Sequence, residues 1–247
     1  MKKLEKITII TGHTKGLGRS VAESAMAYSD KVLGISRTHV DDLNIRQVKK
    51  NIGILAYFPE TMLDTSEDLN MGINLVLCAG RLGEAGGILN SSPKDWMDTI
   101  ALNLVGNLSL LKMLIPLMIK SQYGRVVFVA GGGAAYGYPL FEGYALSKVA
   151  TVRAVENIAI ELRDKIKNFS IIALAPGAME TDMLKQVREA GAEVRTVVDI
   201  KEPTDFIINF LNMDIRKAKA LSGRFIHVRD NLSSRKTKEK WMLRRIE

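Results

Sequence analysis

Lys6-Ile7-Thr8-Ile9-Ile10-Thr11-Gly12-His13-Thr14-Lys15-Gly16-Leu17-Gly18 is the stretch on which the fold turns. The five residues after the opening lysine, Ile7 to Thr11, are all β-branched, which reads as a buried strand. A glycine-rich turn follows, and then a helical stretch from about Gly18 to Tyr28. A strand, such a turn and a helix start aim backbone N–H groups and the positive helix end at a phosphate. Gly12 permits the tight turn, Gly16 lets the chain approach a diphosphate without a Cβ clash, and Gly18 lets helix pack on strand. Thr14, Lys15 and Leu17 belong to the same candidate cradle. The spacing differs from the G-x-G-x-x-G fingerprint. An ordinary strand-to-helix turn uses the same glycines, so the rest of the chain has to decide.

The same alternation continues. Further strands are read at Lys31 to Ser36, Gly53 to Phe58, Asn74 to Cys78, Arg125 to Ala130, Phe169 to Ala175 and Arg224 to Val228. Long helices are read at Pro93 to Ile119 and Tyr144 to Lys165, and a shorter one at Pro203 to Met213. Pro116 is expected to kink or shorten the first of these. Repeated βαβ units with short apolar strands imply an α/β, Rossmann-like, doubly wound parallel sheet of about seven strands, with helices on both faces. Ligands in such sheets sit beyond the carboxyl ends of the strands. Gly12 to Gly18, Arg37, Asp64, Ala79-Gly80, Gly131 and Pro176-Gly177 all fall at such ends. No linker divides the 247 residues, so one domain is expected, with a basic tail at about 231–247.

Bulk composition limits the alternatives. Hydrophobic residues make up 47% and charged residues 25%, enough for a sizeable core. Cys78 is the one cysteine, so no internal disulfide forms and a reducing, cytoplasmic setting is expected. No targeting segment is read, and no apolar run approaches the roughly 18 residues of a membrane span. The net charge of +8 raises nucleic acid as a partner, but aromatics are 6% and no nucleic-acid motif is present. The expectation is no nucleic acid, no membrane and no metal. The cations from Arg235 to Arg245 form either a solvated tail or a contact to an anion or a subunit.

After the second strand comes Gly34-Ile35-Ser36-Arg37-Thr38, and the first acid is Asp41. A site for NAD(H) usually places an acid there for the ribose 2′-hydroxyl. Arg37 instead suits a 2′-phosphate, with Ser36 as a hydrogen-bond donor and Lys15 as a second cation, so NADP(H) is favoured over NAD(H). The other reading makes both cations plain surface charges. Asp64 either accepts from an adenine amino group or caps a helix. Ala79-Gly80 lets backbone pass under the adenosine ribose.

Tyr144 and Lys148 stand four apart, on one helical face. An unperturbed phenol, with a pKa of about 10, is a poor base at neutral pH. A neighbouring ammonium is expected to lower it and so promote proton exchange with a carbonyl or alcohol. The same ammonium suits a nicotinamide ribose.

Thr11-Gly12-x-x-x-Gly16-x-Gly18, Asp64, Ala79-Gly80, Asn103, Tyr144-x-x-x-Lys148 and Pro176-Gly177-x-x-x-Thr181 run in the order of a known family. The chain resembles the compact short-chain dehydrogenases/reductases. That resemblance implies oxidoreductase activity on a small carbonyl or alcohol, with Tyr144 as acid/base and Lys148 as its partner and ribose ligand. It implies Asn103 as support for a water-linked proton path, and nicotinamide contacts around Pro176, Gly177 and Thr181. It also implies a homodimer or homotetramer through the two long helices.

Three departures stand out. The family's serine after the fifth strand falls at Ala130 or Gly131, neither of which has a hydroxyl; a backbone N–H of the glycine run, Tyr136 or Tyr138 is left as donor. The alternative is a weak or inactive NADP-binding protein. The family asparagine before Ala79 is Cys78. The segment from Asp64 to Asn74 is short, so a loop or single turn is expected there. Met179 to about Val198 reads as a lid of mixed apolar and cationic character. The common glycine pair after the last strand is Asp230-Asn231.

Overall fold

The computed structural model describes residues 4–53, 71–194 and 197–230. Seven strands form one sheet: β1 (Lys6–Thr11), β2 (Lys31–Ser36), β3 (Arg46–Lys49), β4 (Gly72–Leu77), β5 (Tyr123–Val129), β6 (Asn168–Ala175) and β7 (Phe225–His227). Their spatial order is β3-β2-β1-β4-β5-β6-β7, and every pairing is parallel. The chain leaves β1 toward one edge and returns at β4 toward the other. That reversal opens a crevice between the carboxyl ends of β1 and β4.

Period-two alternation divides the core between two faces. Ile7, Ile9, Ile73, Leu75, Phe128 and Ile171 share one cluster with Leu110, Leu114, Val155 and Leu162 from the two long helices. Ile10, Val76, Val127 and Ile172 point the other way, to α1 (Gly16–Ala25), α7 (Lys201–Asn212) and α8 (Ile215–Leu221). A short helix, α2 (Gly87–Asn90), precedes the first long one. The other long helix is α5 (Glu142–Leu162), and α6 (Asp182–Glu189) follows β6.

Three expectations need correction. The third strand of the sheet is β3, which starts seven residues upstream of the expected Gly53; of the expected Gly53 to Phe58, residues 54–58 lie outside the described residues, as do Asp64, the short segment to residue 70, and the tail 231–247. The helix from Pro93 runs past Pro116 to Ser121 and is built in three parts: α3 (Pro93–Ile100), a π-helical turn (Ala101–Gly106) and α4 (Asn107–Ser121). That same helix is long and apolar enough to cross a membrane by length and composition, against the expectation that no run approaches one. In the fold it lays Leu110, Leu111, Leu114 and Met118 on the sheet.

Candidate active site

The glycine turn crosses from β1 to α1 with Gly12 at φ +72° and Gly16 at φ +56°, both in the left-handed region. Gly12 N donates to Ile35 O of β2 at 2.8 Å. A Cβ on Gly12 would stand 3.0 Å from Ala79 Cα, and one on Gly18 would overlap the Gly12 carbonyl. No side chain caps α1, and its first turn holds no acid. An uncapped helix start behind a glycine cradle fits a diphosphate.

Thr14 and Ser36 hydroxyls face each other at 3.5 Å across the turn. Arg37 is exposed and lines the same cleft. Lys15 is not a free second cation: its Nζ pairs with Asp182 at the start of α6, at 2.6 Å. Both groups are exposed, so solvent leaves the pair little net strength.

Ala79 is locked by a closed set of hydrogen bonds. Ala79 N donates to Thr11 Oγ1 (3.0 Å), Thr11 Oγ1 donates to Asn107 Oδ1 (3.0 Å), and Asn107 Nδ2 donates to Ala79 O (3.0 Å). Asn107 also reaches Leu102 O and Asn103 O, both at 3.2 Å, which supplies partners to carbonyls of the widened π turn. Thr11 and Asn107 thus hold the backbone of Ala79, next to Cys78, whose side chain has no amide to do so.

Asn103, fully buried within the π turn, clasps the backbone of Arg81 from both sides. Its Oδ1 accepts from Arg81 N at 2.8 Å, and its Nδ2 donates to Arg81 O at 2.9 Å and to Ser147 Oγ at 3.0 Å. The Arg81 guanidinium in turn pairs with buried Asp95. A Cβ on Gly80 would lie 3.2 Å from Asn103 Oδ1 and 3.8 Å from Lys148 Nζ, so β4, the π turn and α5 converge at that glycine.

Tyr144 and Lys148 occupy the first two turns of α5. Lys148 is 5% exposed; its Nζ lies 5.4 Å from the Tyr144 ring centroid and donates to Val129 O at 2.8 Å. Burial lowers its pKa to about 8, with Cys78 opposing. The expected depression of the Tyr144 pKa does not occur. Burial pushes the phenol above its usual value, and Tyr138 and Tyr136 add to that. The physical reason is desolvation: the phenol sits inside the fold, where its charged form loses water, and the ammonium, which donates to the Val129 carbonyl, makes no hydrogen bond to it. Burial also pushes the Cys78 thiol up to about 12, which leaves it protonated and inert.

Ala130 is 2% exposed and belongs to the core, whereas Gly131 faces the phenol. A Cβ on Gly131 would overlap the Tyr144 hydroxyl, and one on Gly132 would overlap the Tyr136 hydroxyl. Tyr138 sits between them, its ring centroid 6.5 Å from that of Tyr136 and 5.8 Å from that of Tyr144.

Across the cleft, Gly177 has φ +80°, and a Cβ there would stand 2.9 Å from Val198. Pro176 lines the cleft beside it. Thr181 caps α6, accepting from Leu184 N at 3.4 Å and donating to Met179 O at 3.1 Å. Within the lid, Val187 packs with Leu82 and Phe141. Its described cations are paired: Arg188 forks onto Glu180 (2.9 and 2.7 Å) and Lys185 meets Glu189 at 3.8 Å. Arg195 lies outside the described residues.

The cleft so bounded measures about 940 Å³ and reaches from Arg37 to Tyr144. Of the residues that build it, Asn107, Arg81 with Asp95, and His13 with Gln47 were not singled out from sequence. Asn107 carried one usable signal, a second amide one helical turn after Asn103. The others are tertiary pairings without a local signature.

Residues 6–192 match the family model described as short chain dehydrogenase. The 3-oxoacyl-(acyl-carrier-protein) reductase FabG of Aquifex aeolicus is 25% identical, over 90% of this chain and 95% of that one. An uncharacterized oxidoreductase of Escherichia coli, YciK, is 24% identical over 84% and 85%. Among solved structures, the aldohexose dehydrogenase of Thermoplasma acidophilum superposes with a TM-score of 0.76 at 21% identity, covering 94% of this chain and 97% of that one. Levodione reductase does so with 0.78 at 21%, covering 91% and 96%. With three quarters of its length matched by one family model, and the same parallel sheet beneath the match, the chain belongs to the short-chain dehydrogenases and is one of their oxidoreductases.

Proposed function

We propose that the chain is an NADP(H)-dependent reductase or dehydrogenase acting on a carbonyl/alcohol pair, with Tyr144 as its acid/base. The observation that carries this reading is one continuous cleft with Tyr144 and Lys148 at one end and Arg37 at the other. The glycine turn and uncapped α1 suit a diphosphate, Arg37 and Ser36 a 2′-phosphate, and Ala79-Gly80 a ribose. Pro176, Gly177 and Thr181 flank the reacting end. A nicotinamide dinucleotide, when bound, supplies or accepts the hydride.

The chain's own residues handle the proton and the oxygen. Tyr144, held protonated by burial, hands its proton to the carbonyl oxygen in reduction and takes it back in oxidation. Lys148 keeps a largely cationic head beside the ring at neutral pH. Asn103 acts through the backbone of Arg81 and through Ser147, and supports the proton path from below. Gly131 offers no hydroxyl to the developing oxyanion. Tyr136, whose hydroxyl rests over Gly132, is the best-placed side-chain donor to replace it.

The FabG relative is named as a reductase of an oxoacyl group, which supports the reductive direction. A homodimer or homotetramer fits the exposed Met97 on α3 and Leu146, Val149 and Ile160 on α5. A reducing, cytoplasmic setting fits the single inert cysteine. The test is titration with NADPH and NADH, followed by reduced-cofactor consumption across a panel of ketones, keto esters and aldehydes. Tyr144→Phe should keep NADPH affinity and lose turnover. Full turnover in that variant removes the assigned role.

A further inference from the structure

His13 lies inside the glycine turn, between Gly12 and Thr14, yet it is fully buried. Its imidazole rests flat on β2: a Cβ on Gly34 would overlap three of its ring atoms. Residue 34 therefore has to lack a side chain for residue 13 to be histidine. Nε2 of the ring meets Gln47 Oε1 of β3 at 2.8 Å, and Nδ1 has no partner among the described residues.

Gln47 fixes the direction of that bond. Its Nε2 donates to Val40 O (2.7 Å) and Leu43 O (3.3 Å), so its Oε1 is the acceptor. That oxygen takes Val40 N at 3.1 Å and the His13 N–H at 2.8 Å. The imidazole therefore donates from Nε2. One glutamine amide thus gathers the loop 37–45 after β2 and binds it to the glycine turn. Arg37 starts that loop. A second tether, Arg19 to Asp42 at 3.0 and 2.9 Å, lies outside, with Asp42 70% exposed, and water weakens it.

We propose that His13 is a positioning residue for the 2′-phosphate of NADP(H). Through Gln47 it sets where the Arg37 loop stands relative to the diphosphate turn, without touching the phosphate itself. This inference rests on the NADP(H) reading above. A charge-assisted bond to phosphate depends on alignment, whereas the rest of the dinucleotide is held by the turn and the sheet. Loss of the clasp therefore weakens NADPH more than NADH.

The experiment is a fluorescence titration of NADPH and NADH against the full chain and its variants, with thermal midpoints recorded beside each. His13→Ala and Gln47→Leu should each weaken NADPH about 10-fold, the worth of one misaligned charge-assisted bond, and leave NADH within about 3-fold. The double variant should be no worse than either single, because both break the same clasp. Asp42→Ala should change the ratio of the two affinities by less than about 2-fold. Gly34→Ala should mimic His13→Ala by displacing the ring. His13→Ala with Gly34→Ala refills part of the vacated space, so its thermal midpoint should recover while the NADPH/NADH ratio stays low.

Equal losses for the two cofactors, additive effects, or recovery of the ratio in the His13→Ala, Gly34→Ala pair would overturn the clasp. Recovery of that ratio would mean that His13 only fills volume. Should His13→Ala not fold, Gln47→Leu on the edge strand carries the same comparison. An unchanged chain that ignores NADPH, or prefers NADH from the outset, removes the NADP(H) reading and this inference with it.

Discussion

The Tyr144 hydroxyl stands where a Cβ on residue 131 would have to be. Gly131 has extended backbone, so no strain demands glycine there; the demand comes from the phenol. In this chain the loss of the family serine and the seat of the phenol are one feature. Reinstating the serine is therefore expected to damage the enzyme. Gly131→Ser must push Tyr144 from its seat, and a misplacement of about 1 Å at a reacting group costs on the order of 10² in rate. Steady-state turnover of Gly131→Ser on the best carbonyl from the panel is the measurement. A gain in kcat would show that the phenol tolerates the side chain and that a hydroxyl at 131 was simply missing.

Tyr136 carries the complementary prediction. With no hydroxyl at 130 or 131, a donor to the developing oxyanion has to come from elsewhere in the cleft. Tyr136→Phe keeps the ring beside Tyr138 and removes only the hydroxyl. It should lower kcat by roughly 10² with little change in NADPH affinity, the usual cost of deleting one such donor. Equal kcat in Tyr136→Phe and the unchanged chain would leave the backbone N–H groups of the glycine run, or Tyr138, as the donor.

Asn107 tests the frame beneath these groups. It is fully buried and holds Ala79 O, Leu102 O and Asn103 O while accepting from Thr11. Asn107→Leu strands several buried polar groups at once and should destabilise the fold by about 2–4 kcal/mol in denaturant unfolding. Thr11→Val added to it should cost less than its effect alone, because the orphaned hydroxyl goes too. Strict additivity would mean that the two residues do not share one network.

The parts of this architecture that alternate or repeat were readable in the chain; the parts made by distant residues meeting were not. β1 and β2 have the bounds their β-branched runs announce, and β4, β5 and β6 shift by at most two residues at an end. β3 was missed because Arg46-Gln47-Val48-Lys49 is a short, mostly polar edge strand with no apolar period to detect. The π turn was missed for another reason: the widened carbonyls are satisfied by the Asn107 side chain, a tertiary solution inside an otherwise helical pattern. At the site, four-residue spacing correctly brings Tyr144 and Lys148 to one place. Spacing does not tell how deeply the pair is buried, and desolvation raises the phenol's pKa where a neighbouring ammonium was expected to lower it. His13 looks like a spacer in a glycine motif until β2 and β3 are folded beneath it.

Lys148 supplies a prediction whose sign is set by its burial. Its pKa falls from the model-peptide 10.5 to about 8 in the folded chain, with desolvation as the main cause. Between those values the unfolded chain binds more protons than the folded one, so stability rises with pH through that window. Below about pH 8 the cost of burying the charged ammonium is fully present. Integrated from about pH 7.5 to about pH 9.5, the gain is on the order of 2 kcal/mol. Tyr144 acts in the opposite sense, but only above the usual phenol pKa of about 10, because its raised value makes ionisation of the folded chain unfavourable there. Denaturant unfolding of the cofactor-free chain at the two pH values, beside Lys148→Met, isolates the effect. The unchanged chain should gain that amount relative to the variant as pH rises. A difference between the two that stays flat with pH would mean that the ammonium is solvated in solution and that the Val129 carbonyl does not hold it inside the fold.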